Sequence, residues 1–169
     1  MEKRINWSEH NYSNTQSFSL QNLECYCRVV KIYDGDTITV IIPIFNSFYK
    51  FSVRLSGIDT CEIKSNNEDN KILAIKARRR LFELISNLDK NDKNDIDIVI
   101  DKYLSDNVCL VYIKCNEFDK YGRILGDIYK NKDKEITFSE TLLEEKLAYS
   151  YDGKKKLSEE EQVELLTKS

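Results

Sequence analysis

One stretch limits the fold more than any other. From Glu24 to Leu55, β-branched and aromatic residues dominate, broken only at Asp34-Gly35-Asp36 and at Phe45-Asn46-Ser47. Such side chains suit a pleated strand and both breaks are turn-forming, so three consecutive strands are expected: Glu24 to Tyr33, Thr37 to Ile44 and Phe48 to Leu55. Gly35 is expected to lend the first turn its permissive dihedrals, and the flanking aspartates to bond their own backbone. The single proline, Pro43, ends the second strand. On the third, Phe48, Lys50, Ser52 and Arg54 share one face, and Tyr49, Phe51, Val53 and Leu55 the other. The chain then runs through Gly57-Ile58-Asp59-Thr60-Cys61-Glu62. Three carboxylates (Asp36, Asp59, Glu62) and the guanidinium of Arg54 therefore hang from the ends of neighbouring strands.

The remaining segments extend this frame. Residues 1–22 are rich in Asn, Ser and Gln without periodicity and read as a flexible arm, with His10 in solvent and Trp7 and Tyr12 as the side chains able to dock it. Ile63 to Asn70 reads as a mobile loop. Ala74, Ala77, Leu81, Leu84 and Leu88 recur at helical spacing, with Lys76, Arg78, Arg79 and Arg80 on a solvated outer face. Residues 89–107 form an acidic insertion in which Ile96, Ile98 and Ile100 alternate, the pattern of a short extra strand or an edge. Val108 to Lys114 and Arg123 to Tyr129 are the fourth and fifth strands. A second helix is expected with Ser139 as N-cap and Leu142, Leu143 and Leu147 as its buried stripe. Gly153-Lys154-Lys155-Lys156 makes a turn, and Ser158 to Glu161 is a capping box opening a short acidic helix. Five strands with a helix between the third and fourth follow the order of an OB-fold barrel. The expected class is α+β, mainly β: a five-stranded OB-fold barrel with three helices, over residues 23–169.

A chain of 169 residues suits one domain with a proper core. Its five cysteines are odd in number, lack any CxxC pattern and meet only one histidine, which argues against a disulfide framework and a zinc site and for a reducing, intracellular setting. No run is long or apolar enough to span a membrane. The net charge of −3 does not mark a nucleic-acid binder. The distribution does more. Residues 86–107 hold three lysines against six aspartates, and the segment from Leu157 holds one lysine against four glutamates, so the central body is mildly basic.

Asp59 and Glu62 lie three residues apart in a tight turn, and like charges this close raise one another's pKa unless neutralised. A hard divalent cation held by carboxylates and a backbone carbonyl answers that need, and oxygen donors suit calcium. Glu62, one water removed, can orient or deprotonate the attacking water. A phosphodiester under attack gains charge on its oxygens, and an arginine fork stabilises it. Arg54 is one candidate, and Arg123 in Asp119-Lys120-Tyr121-Gly122-Arg123 is the other. Each piece alone has a plain structural reading, as a turn, a surface arginine or a hairpin loop; the three in this order are far more specific.

Together, Asp34 to Thr37, Arg54 to Glu62 and Asp119 to Arg123 resemble the motifs of the staphylococcal-nuclease-like (thermonuclease) domains, over roughly residues 25–151. The resemblance implies a calcium-dependent nuclease acting on DNA and RNA by attack of water on phosphorus, leaving 3′-phosphate ends. It assigns Asp36, Asp59 and Thr60 to the metal, with Thr60 offering its carbonyl, and Arg54, Glu62 and Arg123 to catalysis. Tyr121, Tyr149 and Tyr151 correspond to nucleotide-contacting tyrosines. A monomer is expected. Cys61 stands where the family usually has proline, and the body is less basic than secreted members. A non-catalytic OB-fold module binding nucleic acid or protein is the competing reading; retention of Glu62 and both arginines weighs against it.

Overall fold

The computed structural model describes residues 5–86 and 96–168, with the side chains of 96–99 left aside. Five strands close into a barrel in the order β1 (Glu24–Asp34), β2 (Thr37–Ile44), β3 (Ser47–Leu55), β6 (Ile124–Tyr129) and β5 (Cys109–Phe118). All neighbours are antiparallel except β3 and β6, which run parallel. This is the expected OB-like closure, and it leaves the barrel no open edge. Val29, Ile32, Ile38, Val40, Val53, Val111, Ile113, Ile124 and Ile128 fill the interior and are fully buried. A two-residue pair, β4 (Ile58–Asp59) and β7 (Tyr149–Ser150), sits outside it.

Register places the chemistry. Thr37 pairs with Arg54 across β2 and β3, and Leu55 N donates to Asp36 O at 2.8 Å, so Asp36 and Arg54 must be neighbours. The hairpin between β2 and β3 is as tight as the sequence suggests, and both of its central residues, Phe45 and Asn46, have positive φ (52° and 59°). Gly35 differs from expectation. Its φ is not positive; instead a Cβ there would lie 2.6 Å from Ala77 Cβ and 3.1 Å from Thr60 Cγ2. The glycine is needed because helix α1 (Glu68–Ser86) lies directly on the turn.

That helix starts inside the segment expected to be a loop. Asn67 caps it, its Oδ1 accepting from Asn70 N at 3.1 Å, and Glu68 and Asp69 in the first turn complement the helix dipole. Its apolar stripe of Leu73, Ala74, Ala77, Leu81, Phe82 and Ile85 is buried, each large side chain contributing roughly 1.5–3 kcal/mol. Leu88 and the start of the acidic insertion lie outside the described residues. The alternating isoleucines do not form a strand: Ile96–Asp106 is helix α2. Ile100 and Leu104, one turn apart, are buried, and Tyr103 meets Phe82 edge-on with centroids 5.3 Å apart. Arg28 donates to the carbonyls of Leu104 and Ser105 at 3.3 and 3.4 Å, capping its C-terminus. With α2 there are four α-helices among the described residues, one more than expected.

Helix α3 (Phe138–Glu144) is capped by Thr137, in a capping box with Glu140, and not by Ser139. Ser139 is inside the first turn, where its hydroxyl donates to Ser56 O at 2.9 Å. Ser158 caps α4 (Glu159–Thr167) in the capping box read from the sequence. In the N-terminal segment Trp7 and Tyr12 are 73% and 102% exposed and dock nothing. Leu20 is the buried residue that joins this segment to the core, while Phe18 approaches the rings of Phe45 and Phe118.

Candidate active site

Asp36, Arg54, Asp59, Thr60, Glu62, Tyr121, Arg123 and Tyr151 all line one open cleft of about 1320 Å³. At its floor are two buried carboxylates joined by one guanidinium. Arg54 Nη2 lies 3.1 Å from Asp36 Oδ2, donates to Asp59 Oδ1 and reaches Ile58 O at 3.3 Å. Asp36 also accepts from Thr37 Oγ1 at 2.7 Å and from Thr60 N at 3.2 Å. Asp59, at 0% exposure, accepts in addition from the Tyr149 hydroxyl. The Tyr151 ring lies under Arg54, 5.6 Å from Cζ to centroid. Thr60 is buried, and its Oγ1 has no hydrogen-bond partner among the described residues.

Their surroundings push the two acids in opposite directions. Burial pushes the Asp36 carboxyl up, and Arg54 and the Thr37 hydroxyl counter this only in part. For Asp59 burial acts in the same direction, but the bonds from Tyr149 and Arg54 and the nearby Lys156 hold it below the usual carboxylate range. Asp34, also in the cleft lining, is raised to about 6 by burial and by the neighbouring Asp36. Cys61 is raised to about 11, again by burial, and packs with Leu73, Ala74, Tyr149 and Leu166 in a small apolar cluster. The turn that carries Glu62 is thus held by packing in place of a proline ring.

Glu62 projects into the cleft with 63% of its side chain exposed, and its carboxylate receives Lys156 Nζ at 3.1 Å. Its N–H donates to Asn70 Oδ1 at 3.3 Å. Asn70 Nδ2 donates to Gln162 Oε1 at 2.8 Å, and Gln162 Nε2 lies 3.4 Å from the Tyr149 hydroxyl that serves Asp59. Buried amides from α1 and α4 therefore connect the Glu62 backbone to the Asp59 carboxylate. Tyr149 belongs to this chain: it is 5% exposed and stands behind Asp59, outside the lining of the cleft.

On the opposite rim, Asp119 organises the second arginine. It accepts from Tyr121 N and Arg123 N, both at 2.9 Å, and from Arg123 Nε at 2.7 Å. Gly122, with φ +80°, lets the loop fold back so that Asp119 N bonds Arg123 O at 2.8 Å. The exposed Tyr121 ring carries Arg123 and Lys120, at 5.4 and 5.1 Å from its centroid. Lys156, Asn70 and Gln162 are the participants that motif reading misses, and Asp119 enters it only as the start of the Arg123 motif. Only the lysine run at 154–156 hints at one of them.

In kind, the donors suit a hard divalent cation: buried carboxylates converging on one guanidinium nitrogen, with oxygen atoms throughout. Their present arrangement is closed by cationic side chains, and no group of three or more acidic, histidine or cysteine side chains stands at ligating spacing among the described residues. Residues 52–168 match the family described as staphylococcal nuclease homologue. The chain belongs to that family. The match takes in Arg54, Asp59, Glu62 and Arg123 but starts after Asp36, which β-pairing brings to the same place. An uncharacterized protein of Methanocaldococcus jannaschii is 28% identical over 172 residues, spanning 91% of this chain and 71% of the relative. No helix among the described residues is long and apolar enough to cross a membrane.

Proposed function

We propose that this staphylococcal nuclease homologue is a calcium-dependent endonuclease that hydrolyses phosphodiester bonds of DNA and RNA and leaves 3′-phosphate ends. The observation that carries the reading is one cleft lined by the Asp36–Arg54–Asp59 cluster, Glu62 and Arg123. Asp36, Asp59 and the Thr60 carbonyl would hold the cation, which when bound supplies positive charge against the phosphate and acidifies water. Glu62, the one exposed carboxylate of the set, takes the proton of the attacking water. The water oxygen forms the new bond to phosphorus and the bond to the 5′ oxygen breaks, that oxygen taking a proton from solvent in the open cleft and Glu62 later releasing its own to solvent. Arg54 and Arg123 face the phosphate oxygens as charge grows on them. Tyr121 and Tyr151 offer ring faces to bases or sugars, and Tyr149 positions Asp59. We extend the proposal to a monomer working in a reducing compartment, where its five free thiols persist.

The test is cleavage of single-stranded DNA and of RNA with calcium and with a chelator, followed by end-group analysis. Calcium-dependent cleavage is expected, and activity unchanged by chelation would overturn the metal assignment. Glu62→Gln is expected to lower kcat by about 10²–10⁴-fold. Because the side chain is exposed, stability should stay within about 0.5 kcal/mol. No cleavage under any metal, with tight binding of the same strands, would favour the binding-module reading.

A further inference from the structure

The cleft contains a cation of its own making. Lys156 Nζ is 3.1 Å from Asp59 Oδ1 and 3.1 Å from Glu62 Oε1, bridging the buried acid to the exposed one. Lys154, two residues earlier, pairs instead with Asp152 at 3.0 Å, and its side chain is 85% exposed. Lys156 is half as exposed, at 43%. Both ends of its segment are held. Gly153 turns at φ +87° with Lys154 N on Asp152 Oδ1 at 3.1 Å, and Leu157 O accepts from Gln162 Nε2 at 2.9 Å. Asp59 Oδ1 thereby faces two cationic groups at once, accepting from Arg54 and ion-paired with Lys156, while Oδ2 accepts from Tyr149.

A carboxylate oxygen has about two lone-pair sites. With one taken by Arg54 and the Lys156 ammonium at contact distance from the same oxygen, Asp59 Oδ1 has no room for a metal as well. An ammonium 3.1 Å from that oxygen would also stand beside any cation bound to it, where the two charges repel. Occupancy by Lys156 and by metal must therefore exclude one another. We propose that Lys156 is a built-in counter-ion of the metal site: it neutralises Asp59 and Glu62 in the metal-free protein, and a divalent cation binds by displacing it. The inference rests on the metal reading above and adds to it. It makes metal affinity a difference between two cations competing for the same oxygens. A monovalent ion, bringing no more charge than the ammonium it would replace, gains nothing by entering.

Calcium binding is measured directly by titration calorimetry on the metal-free full chain, comparing the parent with Lys156→Met, Lys156→Arg and Asp59→Asn. Lys156→Met should tighten the calcium Kd about tenfold or more, the usual scale of coupling between ligands that exclude each other. Lys156→Arg, which keeps the charge, should stay close to the parent, and Asp59→Asn should lose binding. Equal affinity in the parent and Lys156→Met, with Asp59→Asn silent, overturns the counter-ion while leaving the metal site standing. Weaker binding by Lys156→Met overturns it as well. Absence of binding in every variant, Lys156→Met included, overturns both. Thermal unfolding of each variant confirms that the comparison is between folded proteins.

Discussion

Gly35 and Ala77 touch where the first turn meets α1, so a methyl group at Gly35 would have to displace backbone as well as side chain. Gly35→Ala should destabilise the domain by about 1–3 kcal/mol, the range for overpacking a tight site. Because Asp36 follows immediately and Thr60 is the other neighbour, cleavage should fall further than the stability loss alone explains. Adding Ala77→Gly should restore part of both. Thermal melts and rates on the single and double variants check this, and a double variant no better than Gly35→Ala would remove the packing explanation. At this scale the acids and the first arginine were readable, because Asp36, Arg54, Asp59 and Glu62 belong to one local strand–turn–strand stretch. Tyr149 was readable as a site neighbour, but not that it faces the back of Asp59. The role of Lys156 was not readable beyond the lysine run that holds it, since its contact with Glu62 spans 94 positions.

Among the elements, the Asp119–Arg123 loop has the clearest pH signature. Burial works against the charge on Asp119, but the N–H groups of Arg123 and Tyr121 and the Arg123 guanidinium more than compensate, and its pKa is lowered. A carboxylate depressed in the folded state stabilises above its unfolded pKa of about 3.9, and that contribution is lost as pH falls through the lower folded value. Asp119→Asn should therefore cost stability by a constant amount above about pH 5, with the gap to the parent closing below about pH 4. Denaturant midpoints across that range are the measurement, and a gap that widens toward acid would contradict the assignment. Elements also show where pattern reading fails. Ile96, Ile98 and Ile100 alternate like a strand, yet Ile100 and Leu104 at helical spacing decide the outcome because they pack onto the core. The α3 cap was misplaced by two residues, since Thr137 and Ser139 are both fair N-caps and only Thr137 has Glu140 three positions on.

Across the whole molecule, the site depends on parts that are far apart in the chain. Asn70 and Gln162 are 92 positions apart, and Tyr149 and Asp59 are 90 apart, yet they form one buried path from α1 through α4 to the acid. Gln162→Leu, close in volume but without the amide, leaves Asn70 Nδ2 and the Leu157 carbonyl without these bonds. A cost of about 1–3 kcal/mol is expected. Cleavage should also weaken through looser placement of Asp59, so a calcium titration should shift along with the melt. A variant as active as the parent would show that the path only stabilises the fold. The barrel itself was legible from strand order, because alternation and turns are local. The path was not, because it exists only once the helices are docked.

Helix α4 has a consequence for the timing of synthesis. Both the helix and Lys156 come after every acid and arginine of the cleft in chain order. A growing polypeptide that has emerged only as far as Tyr149 carries all the motif residues but not the Gln162 amide that steadies Asp59 through Tyr149. On the proposed function, chains held on the ribosome at that length are therefore expected to cleave RNA more weakly than chains from which α4 has emerged.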